Sequence, residues 1–183
     1  PPGPVNLTSI MAIQGAGHTS PLLGEMVMTE GVVTAVDSNG FYLQDVNGDD
    51  DPATSDALLV FTGAAPEVTV GQLLRLTGEV GEFTPGGSRS RNLSTTQLGG
   101  ATIELIGNAE LPAPVIMGLA GRPAPTENID DDAFASFDPD SDGIDYFESL
   151  EAMRVKSRKP PAEYLTTSLF VTVSISVAVP TRV

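Results

Sequence analysis

The densest run of ligating side chains is Asp45-Val46-Asn47-Gly48-Asp49-Asp50-Asp51, continued by Ser55 and Asp56. Calcium takes about six to eight oxygens, and alternate residues of a turning loop can aim several carboxylates at one point. Asp45, Asn47, Asp49 and Asp51 alternate in this way, Gly48 permits the tight turn, and Asp56 lies just beyond. The same residues also suit a solvated hairpin loop, in which Asn, Asp and Gly simply satisfy turn geometry. A second cluster, Asp138, Asp140, Asp142, Gly143 and Asp145, opens like an EF-hand loop. Its twelfth position is Ser149, where the motif needs Glu, and Pro139 sits inside it. That spacing supports a looser calcium site or the N-capped start of a helix running towards Met153.

Arg89 and Arg91, with Ser88, Ser90 and Asn92, form the one basic spot in the loop TPGGSRSRN. Its glycines let such a loop adapt to a phosphate backbone. Phe41 and Tyr42 are adjacent on a strand-like segment, so one ring faces inward and the other outward. An outward ring can stack on a base; equally, it can cover apolar surface while the arginines pair with Glu79 or Glu82. Phe41, Tyr42, Arg89, Arg91 and Asn92 are the candidate nucleic-acid contacts.

Several chemistries are excluded. The 183 residues hold no Cys and a single His, so thiol catalysis, Cys-built metal sites and paired imidazoles drop out. His18 has no second imidazole and receives no catalytic role. Glu79 and Glu82 are an odd distance apart and fall on opposite faces of a strand unless a bulge intervenes. No nucleophile elbow, triad or phosphate-cradling glycine loop is present, so catalysis by this chain is not expected. The charge is lopsided: residues 1–153 hold four Arg against 23 acidic residues, a formal −19, and the remainder is +4. Such a body repels phosphate unless cations intervene or arginines cluster locally.

The elements that must carry these residues read as strands. Gly and Pro together make about a fifth of the chain, a composition that favours short strands and turns over long helices. Residues 26–36 form a Val- and Thr-rich strand with Gly31 as a bend or bulge. Residues 41–46 return from the Ser38-Asn39-Gly40 turn as its hairpin partner. Residues 57–62 and 73–83 follow, then one or two strands within 95–106. Five strands in about a hundred residues fit a small barrel or sandwich. The expected organisation is a linker over 1–9, an OB-like five-stranded β-barrel over 10–110 and a Pro-rich, acidic connector over 111–135. A short helical segment packing on the barrel (136–155) and a tail with one strand (156–183) complete it. The alternation of Leu169 to Val179 marks that last strand. The longest apolar stretch falls short of the ~20 residues a spanning helix needs. Pro1-Pro2-Gly3-Pro4 reads as the start of a mature segment or a fragment.

Several blocks, in order, carry a family resemblance: IQGAGHTSPLLGEMVMTEGVVTAV, GFYLQDVNGDDDPATSDALLVF, VTVGQLLRLTGEVGEF with TTQL, and IDDDAFASFDPDSDGIDYFESLEAMRV. Over about residues 10–155 the sequence resembles the OB-fold-like domain that precedes the endonuclease/exonuclease/phosphatase domain of large secreted bacterial nucleases. The resemblance implies an OB-type barrel, a nucleic-acid-binding role, and an exported parent enzyme that degrades DNA or RNA with divalent metal. The catalytic domain of that family lies downstream, and no residue here inherits its chemistry. Residues 156–183 depart from the family pattern, and Ala152 stands where the family usually has Gly. The expectation is therefore a non-catalytic nucleic-acid-binding module of an extracellular nuclease, with calcium as the candidate ion. The alternative is a calcium-stabilised spacer of a secreted protein that binds no nucleic acid.

Overall fold

A computed structural model describes residues 6–118, 121–157 and 170–172. Five strands build the main sheet: β1 (Met26–Val36), β2 (Gly40–Gln44), β3 (Ala57–Phe61), β4 (Gln72–Phe83) and β5 (Thr95–Asn108). They close on themselves in the order β1-β2-β3-β5-β4, all neighbours antiparallel except the parallel β3–β5 pair. The chain is all-β with a five-stranded barrel, one of the two small β architectures that its strand spacing allows.

Closure depends on strands long enough to serve two neighbours. β1 pairs with β4 over Met26 to Val32 and with β2 over Val32 to Val36, its register shifting between Val33 and Ala35. The bulge thus falls about three residues beyond Gly31. Gly31 instead allows a close approach of strands, because a Cβ there would lie 2.8 Å from the Gln44 carbonyl oxygen and 2.7 Å from Leu43 Cγ. The final strand is one element of fourteen residues, not two. It follows β4 for its whole length and touches β3 only around Gln97 to Gly99.

Alternation along β2 and β3 fills the interior. Phe41, Leu43, Leu58 and Val60 join Val33, Leu74, Leu76, Val80 and Leu98 in one buried cluster. Helix α1 (Ile10–Gln14) belongs to the same cluster through Ile10, Met11 and Ile13. Periodicity over so few residues does not announce this helix. Ser9 accepts from the Ala12 amide as its N-cap, a bond that satisfies one orphan donor.

Beyond the barrel, β6 (Val115–Met117), β7 (Arg154–Ser157) and β8 (Phe170–Thr172) form a small sheet, with helix α2 (Gly143–Glu148) between the first two in sequence. A second apolar cluster joins Tyr146, Leu150, Met153 and Val155 to Ala57, with Tyr42 packed against it. The segment after the connector therefore lies against the outer side of β2 and β3. Polar bonds stitch it there: Ser55 Oγ donates to the Glu151 carbonyl and the Arg154 amide to Gln44 Oε1 (3.1 Å). The buried Ala152 adopts φ 60°, a left-handed conformation that glycine takes more easily. The alternating run from Leu169 to Val179 lies outside the described residues apart from the span of β8.

Candidate nucleic-acid groove

The outward residues of the β2–β3–β5 wall form one groove. Register sets Tyr42 opposite Leu59 and Leu59 opposite Gln97, so three neighbouring strands contribute one row of side chains. Phe61 extends the wall at the end of β3. Phe83, Pro85 and Thr95 close one side, and Asp37 and Asn39 from the β1–β2 turn another. The cavity has a volume of about 460 Å³. Phe61 and Phe83 are 41% and 52% exposed and line the same cavity as Tyr42, so they form a contiguous apolar patch rather than scattered exposed rings.

Of the two adjacent rings that sequence points to, Tyr42 lines this groove, whereas Phe41 is fully buried in the barrel and leaves the site. Strict alternation from the hairpin turn explains the division. Phe61 and Phe83 join the site without a sequence signal, because a phenylalanine ending a strand carries no sign of the side it faces.

Arg89 and Arg91 sit exposed in the 84–92 loop, which starts beside the groove at Pro85. Asn92 braces that loop: its side chain donates to the Pro85 carbonyl (2.8 Å) and its amide to Ser90 Oγ (3.1 Å). Arg91 itself takes φ 62°. Glu82 is engaged elsewhere, since its Oε1 accepts from the Ser20 amide and Thr96 Oγ1, both at 2.8 Å.

The 45–56 loop largely follows the turn reading. Asp45 Oδ1 accepts from the Asn47 and Gly48 amides, Asp49 Oδ1 from the Asp51 amide and Asp51 Oδ1 from the Ala53 amide. These are Asx turns, which hold the loop's shape through its own side chains. Asp56 is different: its Oδ1 is buried without a partner. Burial, followed by the charge of Asp49, pushes its carboxyl up to about 6.

The second acidic cluster divides. Asp145, 1% exposed, accepts from the Asp138 amide (2.7 Å) and contacts His18 Nε2 at 2.6 Å. His18 also meets Phe134 and Phe137 edge-on, so the lone histidine ties the loop before α2 to the barrel. Ser94 Oγ donates to the His18 backbone carbonyl, so this bond does not make it a nucleophile activated by the ring. Asp140 is exposed. Asp142 comes together with Asp130 and Asp132, two residues that in sequence are merely part of an acidic run.

A third group has no counterpart among the sequence motifs. Glu82 and Glu151 converge on Thr96, Glu82 through the hydroxyl and Glu151 Oε2 through the amide at 3.4 Å. Their other oxygens, Glu82 Oε2 and Glu151 Oε1, are buried and unpartnered. Burial, then the charge of Glu82, pushes the Glu148 carboxyl up to about 8. Glu151 is raised well above its ordinary range by burial and then by Glu148. Glu148 ends α2 and Glu151 lies in the turn just after it, so ESLE brings these two close in sequence while Glu82 comes from β4.

A family model described as a domain of unknown function (DUF8508) matches residues 105–176, from the end of β5 through β8. A comparison with curated proteins gives no match. Among the described residues, no helix is long and apolar enough to cross a membrane.

Proposed function

We propose that this chain is a non-catalytic module that binds single-stranded DNA or RNA in the groove between β2, β3, β5 and the 84–92 loop. One observation carries the reading: three outward aromatic rings, Tyr42, Phe61 and Phe83, line a single cavity on a small closed barrel. Bases stack on such rings regardless of sequence. Arg89 and Arg91 stand on the loop that leaves this groove and supply the phosphate contacts. In the setting that the family resemblance implies, the module belongs to an exported protein and holds nucleic acid near a metal-dependent nuclease domain downstream.

The acidic body sets the expected strength. With two phosphate contacts, log Kd varies with log salt at a slope of about 1.4, so Kd rises roughly tenfold between about 25 and 150 mM salt. Fluorescence anisotropy of a labelled oligo(dT) and oligo(U) tests this. Saturable binding with that shallow slope, weakened in Arg89→Ala/Arg91→Ala, supports the module. Absence of saturable binding at about 25 mM salt overturns it. The formal −19 of residues 1–153 favours the second reading, a calcium-stabilised spacer, which expects no oligonucleotide binding and a calcium-dependent rise in Tm.

A further inference from the structure

Between the barrel and α2, the chain folds a stretch of loop back on itself. The Gly143 amide donates to the Asn128 carbonyl (3.1 Å) and the Ile144 amide to the Ile129 carbonyl (3.0 Å). This closure brings the residues that follow Ile129 against Asp142, at the entry to α2. One carboxylate oxygen each from Asp130, Asp132 and Asp142 lies within 4.8 Å of the others. Asp142 is only 2% exposed, and its Oδ1 is buried with no hydrogen-bond partner. It is not consumed as a cap either, since its side chain makes no capping bond to α2.

An unpartnered carboxylate oxygen is costly to bury, and here like charges surround it. The Asp131 backbone gives the Asp142 carboxylate one hydrogen bond, while Asp130 and Asp132 each set a carboxylate oxygen within 4.8 Å of it. Asp130 Oδ1 accepts from the Phe134 amide (3.0 Å) and Asp132 Oδ1 from the Ala135 amide (2.8 Å), and Asp132 also accepts from the Ser136 side chain, so both carboxylates are held in place beside Asp142. A cation is the group that turns this repulsion into attraction.

We propose that Asp130, Asp132 and Asp142 hold one hard divalent cation, calcium by preference, that fastens the 130–142 loop to the start of α2. The donor set is oxygen only, which suits calcium or magnesium over zinc or copper. Oxygens up to 4.8 Å apart can share an ion at calcium's bond lengths of about 2.3–2.6 Å. Magnesium, at about 2.1 Å, requires a tighter set. The loop thus fastened carries Phe134 and Phe137, which pack on His18, so the ion also secures the contact between this segment and the barrel. The site differs from the acidic clusters that sequence spacing picks out, sharing only Asp142 with them, and is independent of the groove.

The test uses the whole chain, stripped with EDTA and dialysed, titrated with calcium chloride by calorimetry and followed by thermal melting. The expected result is one equivalent bound and a Tm rise of about 5–10 °C at roughly a hundred times Kd. Asp142→Asn and, separately, Asp132→Asn should each abolish the binding heat and the Tm rise. Asp49→Asn, in the 45–56 loop, should leave both intact. The second ligand variant guards against a folding defect in the first. No calcium-dependent heat or Tm change up to millimolar concentrations overturns the site. So does full retention of both in the two ligand variants.

Discussion

Glu148→Gln isolates a cost that the fold carries at neutral pH. Glu148 sits at the end of α2 beside Glu151 and Glu82, and its carboxyl is raised from 4.5 to about 8, chiefly by burial. Because the folded-state value is the higher one, the native chain binds more protons than the unfolded chain between those limits. Stability is therefore fullest below pH 4.5 and is lost as pH rises towards about 8. Each pH step in that window costs about 1.4 kcal/mol per group, so holding Glu148 protonated in the fold costs about 3 kcal/mol at pH 7. Glutamine carries no proton equilibrium and removes most of that cost. Urea denaturation at pH 5, 6, 7 and 8, in EDTA so that no cation neutralises the cluster, reads the effect. The wild type should lose stability steadily across the series. Glu148→Gln should gain up to about 3 kcal/mol at pH 7, little at pH 5, and follow a flatter profile. The residual slope belongs to Glu151, which is shifted in the same direction. A variant as steep as the wild type, or less stable at pH 8, would refute the reasoning that like-charge burial dominates here.

Asp56→Asn should act by the same sign in a lower window. Its carboxyl is raised to about 6, so the wild type loses this contribution as pH rises from about 4 to 6. Allowing for solvent screening of a half-buried group, the variant should be about 1–2 kcal/mol more stable at pH 7 and no more stable at pH 3.5, by urea denaturation. Gly31→Ala should destabilise by about 1–3 kcal/mol, because the new Cβ meets the Gln44 backbone as well as Leu43 and Ile10. A thermal melt checks it, and an unchanged Tm would mean that β1 and β2 separate there at no cost.

The barrel's strands are legible in the sequence because local signals agree with the global fold. Valine- and threonine-rich runs, the Ser38-Asn39-Gly40 turn and a long first strand point to a small five-stranded β unit, and the β3–β5 pairing closes it as a barrel. Boundaries move by one or two residues where β2 and β3 end early and polar loops begin. Helix α1 escapes notice since five residues offer barely one turn of period, and its stability comes from burying Ile10 and Ile13. The site is half legible. Tyr42 and the arginine loop follow from alternation and composition, but Phe61 and Phe83 reach the groove only because β3, β4 and β5 meet there. The acidic clusters are harder still. Turn-forming Asp45, Asp49 and Asp51 look the same in sequence as ligands, and only three-dimensional closure joins Asp130 and Asp132 to Asp142. His18 meets Asp145, and Glu82 meets Glu148 and Glu151, across distant segments, so spacing alone does not pair them.

The aromatic groove is the centre of this account, and one comparison addresses it most directly. Anisotropy titration of a labelled oligo(dT) at about 25 mM salt should be run on the wild type and on Phe61→Ala/Phe83→Ala. Both rings stand outside the barrel core, so the double variant should keep its melting temperature to within a few degrees. Loss of two stacking partners should raise Kd by at least about tenfold, since each is worth about 1–3 kcal/mol. Equal Kd values for the two proteins, with both folded, would contradict the assignment of this face to nucleic acid.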